Sequence, residues 1–453
     1  MKRLHSPFEK CFTSLRDQKI AVLGLGVSNR PLVRLLLEYG CRVIGCDRTP
    51  REKLDPEILE LERLGCRLQV GDGYLDGVEA DIVFRTPGMH PGNPAIRELA
   101  ARGAQITSEM EVFFEVCPCP VIAVTGSDGK TTTTTLIAKM LQAEGKTVWL
   151  GGNIGTPLLP KVREMKPADI AVVELSSFQL MDMRRSPCRA VITNLAPNHL
   201  DVHKDMEEYV QAKKNIFRFQ SGEELLILNA DNALTAAMNG NGTTRFFSRR
   251  KKADIWVRDG VICRGDAPVL EASQILLPGE HNVENYMAAI AALEGLVSDE
   301  TIRKVATTFG GVEHRIELVR VKDGVRFYND SIASSPSRTI AGLRSFPEKV
   351  ILIAGGYDKH IPYDVLGPEI CAHVKKLFLN GATAMQIRAA VEACPGDKPE
   401  MVDCGDFLSA VDAAAAAAQA GDVVLMSPAS AAFDQFKNFM ERGSVYKKRI
   451  MEL

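Results

Sequence analysis

The chain has 453 residues, of which 45% are hydrophobic and 25% charged, the proportions of a soluble globular protein and not of a fibrous or disordered one. Its formal net charge is −2, with acidic and basic residues interspersed, so no strong field recommends nucleic acid or an anionic membrane as a partner. At roughly 100–200 residues per domain the length predicts two to four domains, and three is the expectation taken here.

In chain order, the opening "MKRLHSPFEKCFTSLRD" is basic but has no apolar core. No apolar run approaches the roughly 18 residues that a membrane span needs, so a cytosolic protein is expected. Short β-branched runs then alternate with helical patterns, the signature of parallel sheets with crossover helices. A first set of strands is predicted at 19–24, 41–47 and 80–85, and a second at 120–126, 146–151, 168–175, 188–194 and 224–229. A third set falls at 325–330, 349–356, 375–381 and 422–428. Prolines in "FFEVCPCP" and paired glycines in "TTFGGVEHR" punctuate the sets, which gives three α/β domains at 1–115, 116–311 and 312–453. The alanine run 413–418 predicts a helix. The cysteines number eleven, scattered singly apart from Cys117 and Cys119. That pattern fits reduced thiols better than a disulfide framework, and the pair lacks the spacing of a zinc site.

"VTGSDGKTT" places a strand, a glycine turn, a lysine and threonines ahead of a helical pattern. This is the mechanical content of a phosphate cradle: backbone N–H groups and a helix N-terminus face the anion, Lys130 reaches its outer oxygens, and a hydroxyl holds Mg²⁺. Thr131 is the expected hydroxyl, while Thr133 to Thr135 are expected as helix residues. The first glycine of the strict motif is replaced by Val124, so the match alone is weak. Glu174 ends the strand "ADIAVVEL", where open parallel sheets place ligands, and its carboxylate suits a hard cation. His199 and Asp201 follow another strand end, and Lys213 falls on a predicted helix. Singly, His199 reads as a hydrogen-bonded structural histidine and Lys213 as a solvated lysine; together they favour a phosphate and metal site. "VLGLGVSNR" starts as a dinucleotide fingerprint, yet Asn29 stands at its third glycine position, so a nicotinamide enzyme is the weaker reading. A non-catalytic nucleotide-binding regulator is a third reading.

The segments "TGSDGKTT", "GGNIGTP", "ELSSFQL", "NHLD", "QAKKNIF", "GEHNVENYMAA" and "EHRIE" occur in the order found in the Mur ligases, and the chain resembles that family over nearly its whole length. The resemblance implies an α/β chain of three domains: a Rossmann-like N-terminal domain, a P-loop ATPase-type central parallel sheet and a Rossmann-like C-terminal domain. These ligases use a shortened TGxxGK[ST] loop, which accounts for Val124. The ending "SPASAAFDQFKNFMERG" resembles that of the members that add D-glutamate to UDP-N-acetylmuramoyl-L-alanine at the expense of ATP, with sister ligases for another amino acid or a folate-type glutamate ligase as the alternative.

By that resemblance, Gly126, Ser127, Asp128, Gly129, Lys130, Thr131 and Thr132 hold ATP, with Asn282 and Asn285 on the adenine side. Asp330 holds the ribose, and Arg315 approaches the phosphates. Val27, Ser28, Asp47, Arg48 and Gly88 serve the UDP end of the substrate; Asn153, Ser176 and Gln179 lie along it. Ser334, Lys359 and Phe439 meet the amino acid. One Mg²⁺ falls to Thr131 and Glu174, and a second to His199 and a carbamylated Lys213. Lys130, His199, Lys213 and Arg315 form the catalytic set. The resemblance also implies a monomer whose last domain closes on the central one. Two residues depart from the family pattern: Ile332 stands at a usual lysine and Ala432 at a usual serine, removing a cation and a hydrogen bond from the amino-acid end. Ser334 keeps a hydroxyl where threonine is usual.

Overall fold

The computed structural model describes residues 6–197, 202–359 and 361–453. Its strands form three sheets. The first contains β1 (Lys19–Leu23), β2 (Arg42–Asp47), β3 (Arg67–Val70), β4 (Ile82–Arg85) and β5 (Gln105–Thr107), all parallel, in the order 3-2-1-4-5. Strand order reverses between β1 and β4, so the turns that follow these two strands open onto the crevice where such sheets bind ligands.

The second sheet has nine strands. β6 (Val121–Thr125), β7 (Val148–Gly152), β8 (Ile170–Glu174), β9 (Arg189–Ile192), β10 (Leu225–Asn229) and β11 (Thr243–Ser248) are followed by β12 (Ile255–Arg258), β13 (Val261–Arg264) and β14 (Ala267–Glu271). The order is 14-13-12-11-10-9-6-8-7, parallel except across β12, β13 and β14. β6 and β8 are buried along their whole length, which is why "VIAVT" and "IAVVE" read as continuous apolar runs, as strands covered on both faces do. β6 lies between β8 and β9, so the loop after it emerges beside the ends of both.

The third sheet contains β15 (Glu317–Lys322), β16 (Val325–Asn329), β17 (Val350–Gly355), β18 (Val374–Asn380), β19 (Glu400–Asp403) and β20 (Val423–Met426), ordered 15-16-20-17-18-19. Only the pairing of β15 with β16 is antiparallel. The alanine run forms the helix Phe407–Ala417, which buries Ala410, Val411 and Ala414 against this sheet.

The chain divides into two compact bodies. One runs to Gln274 and includes His281–Val305; the other comprises Ile275–Glu280 and Ala306–Leu453. The first body holds the five- and nine-stranded sheets, which share one apolar core: Phe8, Phe12 and Tyr39 from the front belong to the same cluster as Leu159 and Val162.

Candidate active site

β6 leads into Gly126, and the turn closes at Gly129, whose φ of 76° is left-handed and whose role is to cap the helix Lys130–Ala143. Neither position has room for a side chain. A Cβ on Gly126 would lie 1.9 Å from Thr193 Oγ1, and one on Gly129 would lie 2.3 Å from Asn285 Oδ1. The strand ends beside the loop fix its shape. Ser127 N donates to Asn194 O (2.9 Å) and Asp128 N to Asn194 Oδ1 (2.9 Å), while Thr193 Oγ1 donates to Asp128 O (2.5 Å). Ser127 Oγ donates to Ala196 O and meets Tyr209 Oη at 2.8 Å. The loop is thus held from outside, with the N-terminal end of a 14-residue helix behind it, the arrangement that suits a phosphate.

The threonine run behaves as the sequence predicts. Thr134 and Thr135 donate to the carbonyls of Lys130 and Thr131, one turn back, which lets hydroxyls sit inside a helix. Thr133 is buried and donates to Asn285 Oδ1 (3.2 Å). Asn285 Nδ2 in turn donates to Asn282 Oδ1 (3.0 Å), both on the helix Glu280–Ala292. Thr131 and Thr132, in the first turn, are half-buried.

Two lysines converge on one carbonyl. Lys130 Nζ donates to Gly126 O (3.0 Å) and Ser127 O (2.8 Å), and Lys213 Nζ donates to the same Gly126 O (2.9 Å) and to Thr125 Oγ1 (3.1 Å). Lys213 is 2% exposed and lies over the Tyr209 ring, 4.8 Å from its centroid. Burial pushes its amine well below the ordinary lysine range, and the nearby charge of Lys130 pushes the same way. Glu174, at the end of β8, is 1% exposed; its Oε1 accepts from Asn153 Nδ2 (2.7 Å), while its Oε2 has no partner among the described residues. A buried carboxylate oxygen left unpaired in an anion cradle costs free energy unless a cation is bound there, so the donor set fits Mg²⁺. His199 and Asp201 lie outside the described residues.

Ser176 and Gln179 form a reciprocal cap at the helical turn Ser177–Leu180, immediately after Glu174 and Leu175. At the front sheet, Gly24 (φ 82°) starts the turn after β1. Asn29, at the position of the fingerprint's third glycine, is buried and donates through Nδ2 to Gly24 O (2.8 Å), so the asparagine braces the turn. Asp47 accepts from the N–H groups of Leu25 (2.8 Å) and Thr49 (2.9 Å). Burial opposes its charge, yet these donors hold its carboxyl below the ordinary aspartate value. Val27, Arg48 and Gly88 are exposed on the turns after β1, β2 and β4, and the Ser28 side chain makes no capping bond.

In the second body, Arg315 is exposed between His314 (φ 62°) and Ile316 (φ 43°), two left-handed residues that shape its loop. Asp330 is 3% exposed, accepts from Ser427 Oγ (2.7 Å) and is raised to about 7 by burial, against which Ser427 and Arg315 act. Both of its oxygens face protein donors, since Ile316 N approaches Oδ1 at 3.3 Å. Lys359 is exposed with Nζ 6.0 Å from the Phe433 ring centroid, and Phe439 starts the helix Phe439–Glu452. Ser334 is half-buried after β16. Arg442, which the sequence reading passed over, is 2% exposed and donates to Ser331 Oγ and to the carbonyls of Ser331, Ser430 and Ala431. It joins the loop before Ile332 and Ser334 to the loop before Ala432.

A glycine turn at the N-terminal end of a helix, with a buried and half-unpaired carboxylate on the neighbouring strand of a mostly parallel sheet, is the arrangement of a nucleotide-binding α/β protein. The Mur ligase middle domain matches residues 124–293, and the Mur ligase glutamate ligase domain matches residues 314–430. The chain belongs to the Mur ligase family, ATP-dependent enzymes that form amide bonds. The UDP-N-acetylmuramoylalanine--D-glutamate ligase of Acetivibrio thermocellus is 52% identical, over 96% of this chain and 96% of its own. The ligase of the same name from Ruminiclostridium cellulolyticum is 47% identical over 99% of this chain and 100% of its own. Among solved structures, the UDP-N-acetylmuramate-alanine ligase of Thermotoga maritima shares the fold with a TM-score of 0.58 at 18% identity, covering 96% of this chain and 99% of that one.

Proposed function

We propose that the chain joins D-glutamate to UDP-N-acetylmuramoyl-L-alanine with hydrolysis of ATP to ADP and phosphate, in the synthesis of peptidoglycan precursors. The 52% identity to a ligase of that name over 96% of both chains carries the reading. The substrate carboxylate attacks the γ-phosphorus and ADP leaves, giving an acyl phosphate. The deprotonated D-glutamate amine then attacks the acyl carbon, and the tetrahedral intermediate expels phosphate.

Two anions must meet in the first step, so catalysis lies in holding them in line and offsetting their repulsion. Lys130, with its ammonium already over the loop carbonyls, offsets charge on the transferring phosphoryl group. Arg315, by the family resemblance, approaches the same group. Mg²⁺ on Thr131 and Glu174 would neutralise the β- and γ-phosphate oxygens. Burial disfavours the charged form of Lys213, and the neutral amine is the form that takes up CO₂; the carbamate, with loss of one proton, would become an oxygen ligand beside His199 for a second Mg²⁺. Gly126 to Gly129, Thr132, Asn282, Asn285 and Asp330 serve ATP; Val27, Ser28, Asp47, Arg48 and Gly88 serve the UDP end. Asn153, Ser176 and Gln179 lie along the muramoyl-alanine, and Ser334, Lys359 and Phe439 meet D-glutamate. This assignment divides the chain at 1–115, 116–311 and 312–453 and describes a cytosolic monomer; no helix among the described residues is long and apolar enough to cross a membrane.

Phosphate release by the purified protein with ATP, Mg²⁺ and UDP-N-acetylmuramoyl-L-alanine is expected with D-glutamate and not with L-lysine or diaminopimelate. Turnover with either of the latter and none with D-glutamate overturns the assignment.

A further inference from the structure

Arg85 ends β4, where its side chain is fully buried. Its guanidinium is divided between two segments. Nη1 donates to the carbonyls of Thr86 (3.1 Å) and Met89 (2.5 Å), with Pro87 O at 3.4 Å. Nε and Nη2 form a bidentate pair with Asp182 (2.9 and 2.6 Å), and Nη2 also donates to Phe178 O (3.1 Å). One face of the fork therefore organises the turn 86–89, which contains Gly88. The other face grips the segment that begins with the Ser176 and Gln179 cap.

The turn is also fixed against the first glycine turn of the front sheet. Thr86 N donates to Leu23 O (2.9 Å), and a Cβ on Gly24 would lie 2.7 Å from Thr86 Cγ2. At the same seam His90 Nε2 lies 3.4 Å from Glu208 Oε1. His203, stacked on Phe178 at 5.4 Å, meets Ser177 Oγ at 2.9 Å. A lysine could not replace Arg85, because its single ammonium cannot serve the carbonyls of one turn and a bidentate carboxylate on another.

A buried ion pair is a poor device for stability alone, since an apolar pair of the same volume often does as well. The six acceptors around Arg85 come from both turns, and this points to geometry. We propose that Arg85 is a positioning residue for the nucleotide-sugar substrate. It fixes the turn at the UDP end relative to the Ser176–Gln179 cap, so that a long substrate lying across both presents its carboxylate in register with Lys130 and Glu174. The inference rests on the substrate proposed above.

The test is steady-state kinetics on three variants, with circular dichroism and melting to confirm folding. Arg163→Met is the control for simple cohesion: Arg163 lies over the Tyr39 and Phe8 rings and pairs with Glu38 across the same two sheets, but does not touch the turn 86–89. Arg85→Lys and Asp182→Asn are expected to lower kcat/KM for UDP-N-acetylmuramoyl-L-alanine at least about tenfold, given that a misplacement of about 1 Å can cost about a hundredfold in rate, and to leave KM for ATP within about twofold. Arg163→Met is expected to lower the melting temperature and leave both constants unchanged. If Arg85→Lys fails to fold, Asp182→Asn decides the matter. An unchanged kcat/KM for the nucleotide sugar in a folded variant overturns the inference, as does an equal fall in Arg163→Met. Absence of wild-type turnover with this substrate refutes the functional reading instead, which the wild-type assay settles before the variants are compared.

Discussion

Lys130 and Lys213 donate to the same oxygen, the carbonyl of Gly126, and two full positive charges there would repel strongly at low dielectric. The more deeply buried partner bears the larger cost: burial first, and then the charge of Lys130, push the Lys213 amine well below the ordinary lysine range. Lys130→Ala should therefore leave a folded protein whose phosphate release falls at least about a thousandfold, on the scale of a lost transition-state cation; near-normal release would remove the loop from the mechanism. Lys213→Ala should also be inactive, with partial recovery on adding acetate or bicarbonate in place of the carbamate, and failure of both acids to restore turnover would leave Lys213 as a packing residue. The glycine turn, Lys130 and the threonine helix were legible in the sequence because strand, turn and helix follow one another in one local motif. Arg85, Asp182, Thr193, Asn194 and Arg442 were not, since their roles depend on partners far away in the chain, such as Asp128 for Thr193 and Asn194 and Ser331 for Arg442. Arg85 left one trace: a charged residue at the buried end of "DIVFR".

The strands that the sequence predicts are mostly interior ones, with the edge strand β7 among them, while the interior strand β11, half-exposed over its first residues, was not predicted. β3, β5, β15 and β19 were not predicted; β3, β5, β15 and β19 are short or half-exposed, as in "RLQV" and "ELVRVK", and edge or near-edge strands carry polar residues that blur the period. The meander β12 to β14 was missed for a related reason, because it is antiparallel and only partly covered. The helix Glu109–Val116 supplies a test at this scale. Ser108 caps it, accepting from Glu111 N (3.1 Å), and Glu109 is 6% exposed with Leu159 N donating to it (3.1 Å). Burial raises the Glu109 carboxyl from 4.5 to about 7, against the donation from Leu159. The folded chain thus holds a proton that the unfolded chain releases. Its contribution is complete below about pH 4.5 and is lost as pH rises through about 7, by roughly 3 kcal/mol at most. Glu109→Gln should flatten the fall in melting temperature between pH 5 and pH 8 relative to wild type; equal slopes would show that the carboxyl does not titrate in this range.

At the scale of the molecule, the proposed reaction draws residues from both compact bodies, Lys130 and Glu174 from one and Arg315 and Lys359 from the other. On that proposal the two bodies approach one another during turnover. Small-angle scattering should show a smaller radius of gyration with a non-hydrolysable ATP analogue and the nucleotide sugar together than without them, and an unchanged profile would count against the role given to Arg315. The three-domain expectation came from three runs of alternating strands and helices, and three sheets are present; that the first two share a core was not readable, because Phe12 and Leu159 look like ordinary apolar residues in their own segments. The tie between Arg85 and Asp182 also orders events during synthesis. The partners are 97 residues apart in the chain, and ribosomes add roughly 5–20 residues per second. A nascent front sheet therefore waits on the order of 5–20 s for its arginine's carboxylate, and the turn 86–89 is finished only after the strand bearing Glu174 has been made.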